Sequence, residues 1–208
     1  MPIESTGATS RTAQTAPTGK RSRFPPEREA EVYAATLELL RETGYAALTM
    51  EAVATRARAS KATLYRQWQS KPRLVATALR RTRPVSLAGV NTGSLYGDLH
   101  ETARRVAHGA AQETALLSGL AHAILGDPEL GLALRETVVV PESAELDVIV
   151  ERAVARGELP THSPAAAFLP HLMVGAVTAR PLVEGDIADE DYLARYIDHV
   201  VLPALGRP

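Results

Sequence analysis

The 208-residue chain contains no cysteine, which removes disulfides, thiolate zinc sites, iron–sulfur clusters and cysteine nucleophiles together. Its first ten residues, Met1 to Ser10, lack a basic flank followed by an apolar run, so they do not read as a secretory leader. The longest stretch free of Asp, Glu, Lys and Arg runs from Leu159 to Ala179. Pro160, His162, Pro164, Pro170 and His171 interrupt it, making it a poor membrane span. There is no glycine-rich phosphate loop, no G-x-S-x-G elbow and no carboxylate pair in an apolar setting, so nothing points to an enzyme. The six histidines include no pair at i,i+3 or i,i+4, and neither a metal nor another cofactor is expected. A cytoplasmic, non-enzymatic protein is the expectation.

What is present is ordinary for a globular chain, with 45% hydrophobic and 23% charged residues. The formal net charge of −1 hides an asymmetry. Residues 1–83 sum to +8 and residues 84–208 to −9, and all six histidines fall in the acidic part. A basic first part joined to an acidic second part suggests that only the first meets a polyanion.

Residues 1–22 are dominated by Ser, Thr, Ala, Pro and Gly and cannot bury enough apolar surface to offset the entropy of ordering, so they read as a tail. Its basic end, Lys20, Arg21 and Arg23, is either a solvated linker or an arm for a minor groove. From Pro25 the pattern turns helical. Glu27, Glu29 and Glu31 favour the positive end of a helix, Val32, Ala35, Leu39 and Leu40 mark one face, and Gly44 supplies its stop. Thr49, Ser60 and Ser70 cap three further helices, reaching about Arg56, Trp68 and Arg81.

Beyond Pro84 a loop leads to long helical patterns without a convincing strand, so the fold expected is all-α. Leu95, Leu99, Thr102, Val106 and Ala110 mark one helix and Leu116, Leu120 and Ala123 to Leu125 the next. Asp127-Pro128 opens a helix running to Arg156, bent near Pro141 and ended by Gly157. Ser163-Pro164 opens another over Ala165 to Leu182, and Asp189, Glu190 and Asp191 start the last, with Leu193, Ile197, Val200 and Val201 as its apolar stripe. These last two helices are too apolar for an exposed surface, which predicts a homodimer built through them.

The stretch from Thr49 to Trp68 has the architecture of a helix-turn-helix: a short helix, a break of about three residues and a second short helix. Val53, Ala57, Leu64 and Trp68 are spaced to pack inward. That leaves Lys61, Ala62, Thr63, Tyr65, Arg66 and Gln67 towards solvent or a groove, and these residue types suit DNA bases and phosphates.

This segment resembles the TetR-type transcriptional regulators, from about Val32 to Val75. The resemblance rests on Val32 to Leu40, Gly44-Tyr45, Thr49, Val53-Ala54, Ala57, Ser60, Thr63-Leu64-Tyr65, Trp68, Lys71 and Leu74. Arg156-Gly-Glu-Leu159 resembles a turn common before the family's last two helices. The resemblance implies a tail at 1–22, a three-helix DNA-binding domain at 23–70 and a larger helical effector-binding and dimerisation domain at 71–208. It implies a homodimer that represses or modulates transcription from double-stranded DNA, released by an unknown small-molecule effector. Carried over by position, the recognition helix spans Ser60 to Gln67. Lys61, Ala62 and Thr63 fall in the base-reading region, and Thr49, Tyr65, Arg66, Gln67 and Lys71 match backbone contacts. Arg58 stands where the family often has glycine, and at positive φ it would cost on the order of 1 kcal/mol. It is either a solvated turn residue or one that gains a phosphate contact. His122, Phe168 and His171 are candidates for an effector pocket, although such residues on apolar helices also serve as plain core. The other reading is a helical sensor or protein-interaction module without sequence-specific DNA binding, which the charge asymmetry disfavours.

Overall fold

The computed structural model describes residues 24–82 and 86–206, less the side chains of residues 110–115, 117 and 118. The basic tail lies outside the described residues. Among them there is no strand. In chain order the helices are α1 (Pro26–Ala47), α2 (Met50–Arg56), α3 (Lys61–Trp68), α4 (Lys71–Thr82), α5 (Leu95–Gly126), α6 (Pro128–Leu134), α7 (Val140–Ala155), α8 (Leu169–Val183), α9 (Glu190–Tyr196) and α10 (Leu202–Leu205).

Two hydrophobic cores organise them. The first gathers Val32, Leu37, Leu40, Val53, Leu64 and Trp68 with Leu74, Val75, Ala78 and Leu79 of α4, and reaches Leu116, Leu120 and Leu130 of α5 and α6. The fourth helix, placed by sequence at the start of the C-terminal domain, is thus packed into the N-terminal core. The second core gathers Leu95, Leu99, Leu146, Ile149, Leu169, Met173, Leu193 and Ile197.

The sequence pattern divides α5 in two, yet it is one helix of 32 residues. Leu95, Leu99, Ala103 and Ala107 enter the second core, whereas Leu116 and Leu120 enter the first. Nine residues separate Ala107 from Leu116, about half a turn around the cylinder. The shift of phase that looks like a helix boundary is a single helix whose two ends turn different faces into different cores.

Prolines account for the irregular turns. Near Pro141, where a bend is expected, the helix opened by Asp127 continues through a π-helical turn at Arg135–Val139. A second π turn, Ile197–Val201, precedes Pro203 by the same spacing. Pro141 has no N–H to offer the Thr137 carbonyl, and that carbonyl accepts a 2.8 Å bond from Arg80 of α4. Ser163 does not cap as expected. Its hydroxyl donates to the Leu205 carbonyl at 3.0 Å, and the chain enters α8 through a 3₁₀ turn at Pro164–Phe168. At Gly44 the backbone takes φ 74°, and one further helical turn follows before α1 ends at Ala47.

Candidate nucleic-acid interface

Residues Met50 to Trp68 form two short helices on a buried base. Thr49 Oγ1 accepts from the Ala52 amide and Ser60 Oγ from the Thr63 amide, both at 3.1 Å, so each hydroxyl satisfies a donor at its helix start. These two residues of the candidate site therefore act first as caps. Leu64 and Trp68 are buried, and the Trp68 ring lies 5.6 Å from Phe24 and 5.7 Å edge-on to Tyr33. With that face turned in, Lys61, Ala62, Tyr65 and Arg66 are exposed on the other, with Thr63 half-buried.

The turn between α2 and α3 is a Schellman motif. The Ala59 amide donates to the Ala54 carbonyl at 2.8 Å and the Arg58 amide to the Thr55 carbonyl at 3.2 Å. Arg58 occupies the left-handed position at φ 50°, so the turn keeps its conformation although the residue there is not glycine. Arg28 braces it from α1, its Nη2 donating to the carbonyls of Ala57 and Arg58 at 3.1 and 3.3 Å. Arg58→Gly should raise stability by about 0.5–1 kcal/mol in denaturant titration, since relief of the left-handed strain exceeds the entropy of an added glycine. A loss of stability would refute the strain.

The other candidate residues are held by neighbours. Lys61 Nζ lies 3.3 Å from Glu51 Oε2. Gln67 Nε2 donates to Glu29 Oε1 at 3.1 Å. Lys71 Nζ donates to the Tyr45 carbonyl at 3.1 Å and sits 4.0 Å from the centre of the Tyr45 ring. Tyr45 in turn donates its hydroxyl to Asp127 Oδ2 at 2.6 Å, while Asp127 Oδ1 caps α6. Burial, then the Asp127 bond, pushes the Tyr45 hydroxyl up, and that bond holds the Asp127 carboxyl below the usual carboxylate range. A cation beside the recognition helix is thereby joined through one tyrosine to the start of α6. Sequence reasoning missed Tyr45 in this role because its partner lies 82 residues away. It missed Gln69 too, which takes φ 67° in a tight turn closed by a 2.7 Å bond from the Ser70 amide to the Trp68 carbonyl.

The three pocket candidates do not converge on either core. Phe168 and His171 meet ring to ring at 5.9 Å, but both are exposed, and His122 is exposed on α5. Their helices turn them to solvent, and none lines either of two clefts. One, of about 300 Å³, has Val150 and Val154 on one side and Thr161, His162 and Ser163 on the other. The second, of about 240 Å³, lies between Arg104, Ala107 and His108 and the segment bearing Ile187, Asp189 and Glu190. The outer stripe of α8, comprising His171, Val174, Thr178 and Leu182, is exposed, Leu182 by 87%. The stretch Pro164–Val183, with mean hydropathy 1.3, has the length and composition of a membrane span although only 17% of it is buried.

A capped pair of short helices, one with a polar and cationic outer face, followed by a much larger helical part, defines a helix-turn-helix DNA-binding regulator. Residues 32–78 match the family model for bacterial regulatory proteins of the tetR family, and residues 90–200 match the tetracyclin repressor-like C-terminal domain. The HTH-type transcriptional regulator Rv1556 of Mycobacterium tuberculosis is 34% identical over 181 residues, 86% of this chain and 89% of that protein. The DNA-binding transcriptional repressor TetR of Mycobacteroides abscessus is 31% identical over 183 residues, 87% and 95% of the respective chains. The crystal structure of the TetR family transcription regulator SCO0332 superposes with a TM-score of 0.64 at 27% identity, covering 84% of this chain and 97% of that one. The chain belongs to the TetR family of transcriptional regulators. A helical module without sequence-specific DNA binding is not favoured.

Proposed function

We propose that the chain is a cytoplasmic, non-enzymatic repressor that binds a near-palindromic operator as a homodimer and is released by an apolar or amphiphilic small molecule. The observation that carries the reading is the division of α3 into a buried anchor, Leu64 and Trp68, and an exposed face of Lys61, Ala62, Tyr65 and Arg66. In the major groove Lys61, Ala62 and Thr63 read base edges, while Thr49, Arg58, Ser60, Tyr65, Arg66, Gln67 and Lys71 meet the backbone. The exposed stripe of α8, together with Phe168 and Val200, packs against its copy, which would give this apolar stretch a protein partner rather than a lipid one. The effector enters the cleft beside Val150 and Val154, which is near the lower limit for a ligand site. The Arg80 bond to Thr137 and the Tyr45 bond to Asp127 would carry its effect to α4 and α1, on which α2 and α3 are packed. That the M. abscessus relative is named a repressor supports the sign of regulation.

Selection of bound sequences from a random DNA pool tests the reading. Two inverted half-sites, with their centres about 34 Å or more apart, are expected from a two-fold dimer. A single unrepeated half-site would overturn the dimeric geometry. Lys61→Ala should relax preference at one or two base pairs by about 1–3 kcal/mol, whereas Lys71→Ala should weaken all sequences alike and flatten the salt dependence, and Tyr65→Ala should weaken all sequences alike. An unchanged motif in Lys61→Ala would remove Lys61 from the base readers.

A further inference from the structure

Glu51 is the one acidic side chain that meets the exposed cations of α3 at close range among the contacts described: its Oε2 lies 3.3 Å from Lys61 Nζ. Both side chains are solvated, 75% and 54% exposed, and an ion pair this exposed adds little to stability. Glu51 also sits in the first turn of α2, a position the helix dipole favours. The dipole favours any acidic residue in that turn, whereas a carboxylate set against the DNA-facing side is repelled by every phosphate, a cost to binding.

We propose that Glu51 is a positioning residue for operator specificity: it tethers Lys61 over the groove and keeps it from the phosphates. The inference rests on the reading of Lys61 as a base reader. Lysine is a point charge on a flexible four-carbon stem, and a polyanion offers it far more phosphate oxygens than guanine edges. As the first residue of α3, Lys61 is at the end of a recognition helix that reaches bases, while the preceding helix crosses the backbone. A carboxylate on that preceding helix can pull the ammonium back from the backbone and leave two of its protons for guanine O6 and N7. The same charge repels DNA that offers no base contact in return, so it widens the ratio of specific to non-specific affinity.

Glu51→Gln keeps the side-chain shape and removes the charge. Its non-specific DNA affinity at low salt should rise about threefold to tenfold, and its slope of log affinity on log salt should steepen by about 0.9, one added phosphate contact. Selection should give a motif relaxed at the same base pairs that Lys61→Ala relaxes, and in a Lys61→Ala background Glu51→Gln should leave the motif unchanged. Loss of bulk repulsion alone would raise non-specific affinity but leave the selected motif at wild type, so the motif is the readout that a merely electrostatic role does not move. A relaxed Lys61→Ala motif beside a wild-type Glu51→Gln motif overturns the assignment of Glu51 alone. Relaxation at other base pairs overturns it as well, since Glu51 would then be reading DNA itself. An unchanged Lys61→Ala motif overturns the base-reader reading, and the tether falls with it.

Discussion

Trp68→Ala is expected to lower stability by about 3–5 kcal/mol, the range for emptying a buried large aromatic, and to reduce specific DNA affinity by more than about a hundredfold. The helix it ends has eight residues, and only Leu64 and Trp68 of it are buried. A helix that short does not persist on its own propensity, so its orientation comes from these two anchors. Removing the indole vacates the space between Phe24 and Tyr33 and leaves Leu64 as a single pivot. Lys61 and Thr63 then lose their fixed distance from α2, and base contacts that depend on placement go before phosphate contacts do. Trp68→Phe, which retains most of the apolar contact, should keep binding within about tenfold. Circular dichroism fixes the folded fraction at the temperature of the binding measurement. A folded Trp68→Ala protein with wild-type operator affinity would show that α3 is held by something other than this anchor.

Much of the DNA-binding unit is legible in the sequence because its signals are local. Thr49 and Ser60 announce helix starts through bonds that span three residues, and Gly157 announces an end that a Schellman turn closes, with the Glu158 amide on the Ala153 carbonyl at 2.9 Å. Leu64 and Trp68 are four apart and therefore share a face. The features that escape are those that need a second segment. Nothing near Lys71 foretells that it rests on Tyr45, or that Tyr45 reaches Asp127. The exposure of His171 follows from which face of α8 Leu169, Met173 and Ala176 bury. On a helix with so few polar residues, the pattern alone does not say which face that is. The π turns are half legible: a proline inside a helical pattern promises a disturbance, but whether it becomes a kink or a wider turn is decided by packing. At Pro141 the outcome ties α4 to the turn before α7, for the Thr137 carbonyl that the proline cannot engage is claimed by Arg80.

The largest loss expected in the second core comes from Asp98, a carboxylate with no exposed surface in the first turn of α5. Its Oδ1 accepts from the Thr92 amide at 2.6 Å and from the Thr92 hydroxyl at 2.9 Å. Its Oδ2 faces the guanidinium groups of Arg152 and Arg156 at 3.5 and 3.7 Å. Arg152 also donates to the Val90 carbonyl, and Arg156 pairs at 2.6 Å with Glu158, whose other oxygen accepts from the Leu95 amide. One carboxylate thus ties the loop before α5 to the end of α7. Glycine at position 97 is required by the same fold of the loop, since a Cβ there would come within 2.3 Å of Thr92 Oγ1. Asp98→Ala removes two hydrogen bonds to a charged acceptor and leaves two guanidinium groups facing each other. Because both arginines keep roughly a third of their side-chain surface in water, the cost falls at the lower end for broken buried pairs, about 3 kcal/mol. For a chain of this size that corresponds to a melting temperature lower by about 6–12 °C. Arg152→Ala should cost less than Asp98→Ala, because Arg156 remains to face the buried charge. Thermal and denaturant unfolding of the two variants decide the matter. An Asp98→Ala protein within 1 kcal/mol of wild type, or one less affected than Arg152→Ala, would place the tie between α5 and α7 in the apolar core instead.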